Sequence, residues 1–152
     1  MSALKKVLSL AARPAPPTSK PRRIGAVGLG TFLAFAGTSH LTFARQEFQA
    51  QVPDWVPLNE DAVVLLSGVA EISLGAALIL LRKRRVPVGL AAAAFFIAIF
   101  PGNISQYVTH TDAFGLDSDR ARLVRLFFQP PLVLWALWST GAWKALRDGL
   151  KG

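Results

Sequence analysis

Five polar side chains fall within or at the edges of long apolar runs: His40, Glu71, Asn103, Arg125 and Gln129. Together they offer a carboxyl, an imidazole, a guanidinium and two amides. That set can hold a proton or hydrogen-bond a carbonyl-bearing molecule. Polar groups inside a bilayer are costly, so their presence calls for a reason. Glu71 is the most demanding. An isolated carboxylate near mid-membrane costs at least a few kcal/mol, so it must be protonated, paired or beside water. Arg125 is its expected partner, with His40 second. The bland reading is that these groups are helix glue, since such hydrogen bonds contribute about 1 kcal/mol each.

Helical spacing predicts a shared interior for them. Gly30, Gly37 and His40 follow a seven-then-three spacing, and Gly68, Glu71 and Gly75 also share one face. Small residues flanking a polar one allow close backbone approach at membrane helix interfaces. Arg125 and Gln129, four apart, are expected to face one way.

The elements that must position these residues are membrane helices. The 152-residue chain is 52% apolar and yet carries a net charge of +8, because Lys and Arg sit in short blocks between uncharged stretches. Four spans are predicted, at about 24–43, 62–81, 86–107 and 123–143, forming an all-α four-transmembrane-helix bundle over residues 24–143. The first could be a signal peptide, with Ala34-Phe35-Ala36 as a cleavage site. Its apolar run continues past that site to membrane length, which favours an uncleaved anchor. The apolar run Val86–Phe100 is about 22 Å of helix, short of the roughly 30 Å hydrocarbon core. That helix must therefore continue through Pro101-Gly102-Asn103 toward Tyr107 or stop against protein. Pro101 frees the carbonyl of Ile97, so a kink or a polar partner is expected there. Asp119 is the expected N-cap of the fourth span, and Pro130-Pro131 the site of its bend.

Residues 1–23, basic and containing Pro14-Ala15-Pro16-Pro17, are expected as a flexible tail with at most a short amphipathic turn at Leu4–Ala12. Residues 144–152 are expected as a short basic tail. The two tails and the Arg82–Arg85 loop hold thirteen of the seventeen Lys and Arg residues, and the remaining loops hold most of the acids. This bias predicts a multi-pass cell-membrane protein with both termini cytoplasmic. It places His40, Glu71, Asn103, Arg125 and Gln129 in the outer half of the bilayer. Trp55 falls at the outer interface and Trp143 at the inner one. Basic blocks that punctuate apolar runs argue against nucleic acid and for an anionic lipid bilayer as partner.

Other chemistry is poorly supported. With no cysteine, disulfides, a thiol relay and cysteine-bound metals are excluded. Asp112, Asp117 and Asp119 lack the rest of a calcium loop and are expected to serve as caps. A haem on His40 and His110 is disfavoured, because His110 belongs to an outer loop. No metal site is predicted.

The ordered motifs resemble those of the DoxX-like family of small membrane proteins. They are Gly37-Thr38-Ser39-His40-Leu41-Thr42-Phe43, the loop from Phe48 through Val52-Pro53-Asp54-Trp55-Val56-Pro57, Ser67-Gly68-Val69-Ala70-Glu71, Phe100-Pro101-Gly102-Asn103 and Arg125-Leu126-Phe127-Phe128-Gln129-Pro130. The resemblance covers roughly residues 25–143 and implies a four-helix protein. It further implies an auxiliary subunit of a membrane redox assembly, not an enzyme on its own, with other redox subunits or further copies of itself as partners. There is no intrinsic cofactor in this reading; a quinone or similar lipophilic molecule is the implied ligand. His40 and Gln129 would then meet its carbonyls while Glu71 and Arg125 set the field. The alternatives are a proton-linked binder or carrier of a small hydrophobic solute, and a bundle without a ligand.

Overall fold

A computed structural model describes residues 2–151. It is helical throughout, with one isolated bridge, Ala113 to Leu116, as the extended pairing among the described residues. Three helices are long and apolar enough to cross a membrane. They are α2 (Lys20–Leu41), α4 (Glu60–Leu80) and α5 (Arg85–Val108), the last entered through a 3-10 turn at Arg82–Arg84. Their outer faces carry exposed Ile24, Phe35, Leu66 and Ile97, the pattern of helices solvated by lipid. α2 starts at Lys20, four residues earlier than expected, because Pro21 falls in its first turn, where a missing N–H removes no helical bond. A short helix, α3 (Arg45–Gln49), follows it.

α2 and α4 pack backbone to backbone. A Cβ on Gly37 would lie 2.5 Å from the Gly68 carbonyl oxygen, and one on Gly75 would lie 2.5 Å from that of Gly30. These two reciprocal contacts fix the crossing and bring His40 and Glu71, each one turn from a contact glycine, to the same seam. Leu29 and Leu33 of α2, Leu78 of α4 and Phe96 of α5 form the apolar core with Ala136 and Leu137.

The expected fourth helix, 123–143, is divided. It consists of α6 (Asp119–Leu126), α7 (Gln129–Thr140) and α8 (Ala142–Leu150). The first break falls at Phe127–Phe128, before the proline pair instead of at it. Pro130 and Pro131 have no N–H to offer the carbonyls of Leu126 and Phe127, so α6 closes on tight bonds from Phe127 to Val124 and from Phe128 to Arg125. The prolines then sit in the first turn of α7. The second break is Gly141, in the left-handed conformation at φ 77° that commonly ends a helix. Alone, α7 is only about 18 Å long. Ser118, not Asp119, caps α6, its side chain accepting from the Ala121 N–H.

Neither tail is loose. Residues Ala3–Ala12 form α1, capped by Ser2 and burying Val7 and Ala11 against α8. Val7 and Ala11, one turn apart, make an apolar stripe that needs cover, and α8 supplies it by presenting Gly149 to Val7. The proline-containing stretch is tied to the basic loop. Ala15 donates its N–H to the Lys83 carbonyl at 3.0 Å, Arg84 donates to the Ala12 carbonyl at 3.1 Å, and Arg85 reaches the Pro16 carbonyl. Both chain ends and the Arg82–Arg85 loop therefore share one end of the bundle.

Candidate functional site

At the opposite end lies a cavity of about 680 Å³ whose lining includes His40, Glu71, Asn103, Arg125 and Gln129. All five sequence-derived residues meet there, contributed by α2, α4, α5, α6 and α7. Their pairing differs from expectation. Glu71 forms no ion pair with Arg125; its partner is His40, with Nε2 3.4 Å from Oε2. Both side chains are buried, and Glu71 Oε2 and His40 Nδ1 have no hydrogen-bond partner. The Arg125 guanidinium instead sits 5.8 Å from the centroid of the Phe114 ring, a cation–π contact, with its Nε also unpartnered. The break between α6 and α7 sets Arg125 and Gln129 on separate helices, which removes the shared face expected of a continuous one.

Asn103 and Gln129 are more fully engaged. Asn103 Nδ2 donates to Gln129 Oε1 at 3.1 Å, and Gln129 Nε2 donates to the Phe96 carbonyl at 2.5 Å. Helix α5 continues through Pro101 to Val108, and the polar partner expected at the Ile97 carbonyl arrives one residue earlier. These two amides tie α5 to α7. Three residues that line the cavity, His40, Glu71 and Arg125, each keep a shielded side-chain atom without a hydrogen-bond partner.

Aromatic residues that sequence reasoning did not single out as site residues connect those three. The Phe48 ring lies 3.4 Å from the His40 ring, centroid to centroid, and 4.6 Å from that of Phe114. A continuous path runs from Arg125 over Phe114 and Phe48 to His40 and Glu71. Phe114 holds φ at 56°, a conformation bulky residues rarely adopt, and its N–H donates to Glu47 Oε2 at 2.6 Å. Buried Gln106 was also missed. It accepts from Gln51, a cavity residue, and donates to the carbonyls of Thr111 and Ala113 at 3.3 and 3.4 Å, holding the loop that carries Phe114. In sequence, a glutamine past a proline and a phenylalanine in a loop look like any others.

The same loop is clamped from its far side. Arg122, with its side chain buried, donates to Asp112 at 2.7 Å, to the Leu116 carbonyl at 2.9 Å and to Asp119 at 2.8 Å. Asp112 and Asp119 are therefore partners of this arginine, and both remain largely exposed. Arg122 and then His110 hold the Asp119 carboxyl below its ordinary value of 3.8. A lowered carboxylate pKa stabilises the fold fully above the unfolded value and loses that effect as pH falls through the native one. Loop residues 110–118 should accordingly exchange their amide hydrogens faster relative to their intrinsic rates below pH 3.8, with α2, α4 and α5 unaffected. Arg122→Ala should produce the same local increase at neutral pH, measured by hydrogen–deuterium exchange.

A family model described as "Domain of unknown function (DUF8561)" matches residues 29–140. The chain belongs to this family. The DUF8561 stretch contains every cavity residue named above and leaves α1 and α8 outside it. No curated protein matches the chain, and no solved structure does.

Proposed function

We propose that this DUF8561 chain is a DoxX-like integral membrane protein, an auxiliary subunit of a membrane redox assembly that holds a quinone-like lipophilic molecule in the outer-half cavity. In this reading α6 and α7 together make a fourth crossing. The end bearing α1, α8 and the Arg82–Arg85 loop is cytoplasmic, in line with the excess of cations there. The observation that carries the proposal is the combination of size and unused polar capacity. About 680 Å³ is within the usual range for a small-molecule site, and its walls are mainly apolar, with a few convergent polar groups.

The residues fit a molecule with carbonyl oxygens on a flat ring. Arg125 is the available donor to a carbonyl, while Gln129, whose amide is already held, maintains the wall. Glu71 sits behind His40 and favours the imidazole tautomer that carries its proton on Nε2, which frees Nδ1 to accept. Phe48 and Phe114 offer ring faces for stacking. A bound quinone would supply electron and proton transfer; this chain's groups bind it, orient it and place a protonatable pair within reach. Other redox subunits, or further copies of this chain, would complete the assembly.

Trp55 lines the cavity, whereas Trp135, Trp138 and Trp143 do not. Quinones quench indole fluorescence at short range. A short-chain quinone titrated into the protein in detergent should therefore give a saturable quench that Trp55→Phe abolishes. Quenching that rises linearly, or that is unchanged in Trp55→Phe, rejects the site. One feature favours a second reading: the buried Glu71–His40 pair could exchange a proton during binding of a small hydrophobic solute. Solute uptake coupled to pH, lost in Glu71→Gln without loss of quinone quenching, would favour that carrier role.

A further inference from the structure

A second cavity, of about 370 Å³, lies at the other end of the bundle, between the first turn of α2 and the corner joining α7 to α8. Its lining includes Arg22, Lys144 and Arg147 beside Trp138, Trp143 and Leu134. The chain brings these together in two steps. Trp135 Nε1 donates to the Gly25 carbonyl at 2.8 Å, fastening the middle of α7 to the first half of α2. The left-handed turn at Gly141 then sends α8 off in a new direction with Trp143, Lys144 and Arg147 on the groove side.

We infer that this groove seats one anionic phospholipid, its phosphate among the three cations and an acyl chain along Leu134. The inference rests only on the reading of α2, α4 and α5 as membrane helices, not on a quinone. Charge complementarity is the first argument. Among the described residues, Arg22 and Lys144 have no ion pair, and the one carboxylate on Arg147, that of Asp148, stands at a loose 3.4 Å. Three cations therefore share one weak counter-ion, and basic pockets between membrane helices attract anionic headgroups. The second argument is what adjoins them. Trp138, Trp143 and Leu134 are 47%, 56% and 57% exposed, an apolar surface that a free inorganic anion would leave wet. A lipid covers both parts at once, and indole rings favour the headgroup boundary.

The test is native mass spectrometry of the full chain released from detergent, with phosphatidylglycerol and phosphatidylcholine of identical acyl chains. One phosphatidylglycerol should remain bound in preference to phosphatidylcholine. The preference should fall about fivefold in Lys144→Gln and about a hundredfold in the triple variant Arg22→Gln, Lys144→Gln, Arg147→Gln, from the usual contribution of each cation near an anionic surface. Removing three cations outside the groove, with Lys5→Gln, Lys6→Gln and Arg13→Gln, should leave it unchanged. Millimolar inorganic phosphate should not displace the lipid. The proposal is overturned by equal binding of the two lipids, by equal losses in the two triple variants, or by displacement with phosphate. Lys144 is exposed, so the single variant remains informative if the groove triple variant fails to fold; full retention of the preference in it also overturns the proposal.

Discussion

Replacing Gly37 with valine is expected to unseat the α2–α4 crossing and lower the thermal midpoint by about 10 °C. The new Cβ would stand 2.5 Å from the Gly68 carbonyl oxygen and 2.9 Å from the Glu71 Cβ, and the Gly68 backbone cannot rotate aside. Overpacking of this kind costs about 3 kcal/mol at the upper end of its usual range, and the β-branch adds bulk on the same side. Relief requires the two helices to separate, which draws His40 away from Glu71 and opens the seam between them. Gly28→Ala is the matched control. Its Cβ would meet only Trp135, at an ordinary 3.5 Å, and alanine favours a helix over glycine by about 1 kcal/mol. Thermal melts of the two variants in one mild detergent should move in opposite directions from the parent.

That seam was readable from sequence because its cause is periodic. Gly30, Gly37 and His40 on one helix, and Gly68, Glu71 and Gly75 on the next, announce a close crossing through spacing alone. Asn103 and Gln129 were legible too, as amides beside prolines in apolar surroundings. What spacing could not supply was which group turns toward which. Arg125 offers the opposite charge to Glu71, yet charge complementarity says nothing about rotation, and the missing donors of Pro130 and Pro131 uncouple α6 from α7 between Arg125 and Gln129. The aromatic path through Phe48 and Phe114 was hidden for a different reason. Both lie outside the long helices, where no period applies, and Phe114 reaches its place only through a left-handed backbone held by Glu47 and by the loop that Gln106 anchors. The tails were illegible in part because each amphipathic stripe is short. Val7 and Ala11 gain meaning only when α8 is present to cover them.

Glu71→Gln is expected to weaken quinone binding by about tenfold or more while leaving the thermal midpoint unchanged or raised. In this account Glu71 acts on the ligand through His40, and a tenfold weaker affinity corresponds to about 1.4 kcal/mol. The stability side follows from the orphaned oxygen. A buried carboxyl whose Oε2 lacks a hydrogen bond is a burden on the fold, and an amide of the same shape removes that burden while still able to meet His40. Functional groups held at the expense of stability show this opposition, whereas helix glue does the reverse. The decisive measurement is therefore made on Glu71→Gln and the parent side by side, recording the saturable quench of Trp55 and the thermal midpoint in the same detergent. A weaker quench affinity with a midpoint at or above that of the parent is the predicted result; an unchanged affinity with a lower midpoint would contradict the site and leave Glu71 as a packing residue.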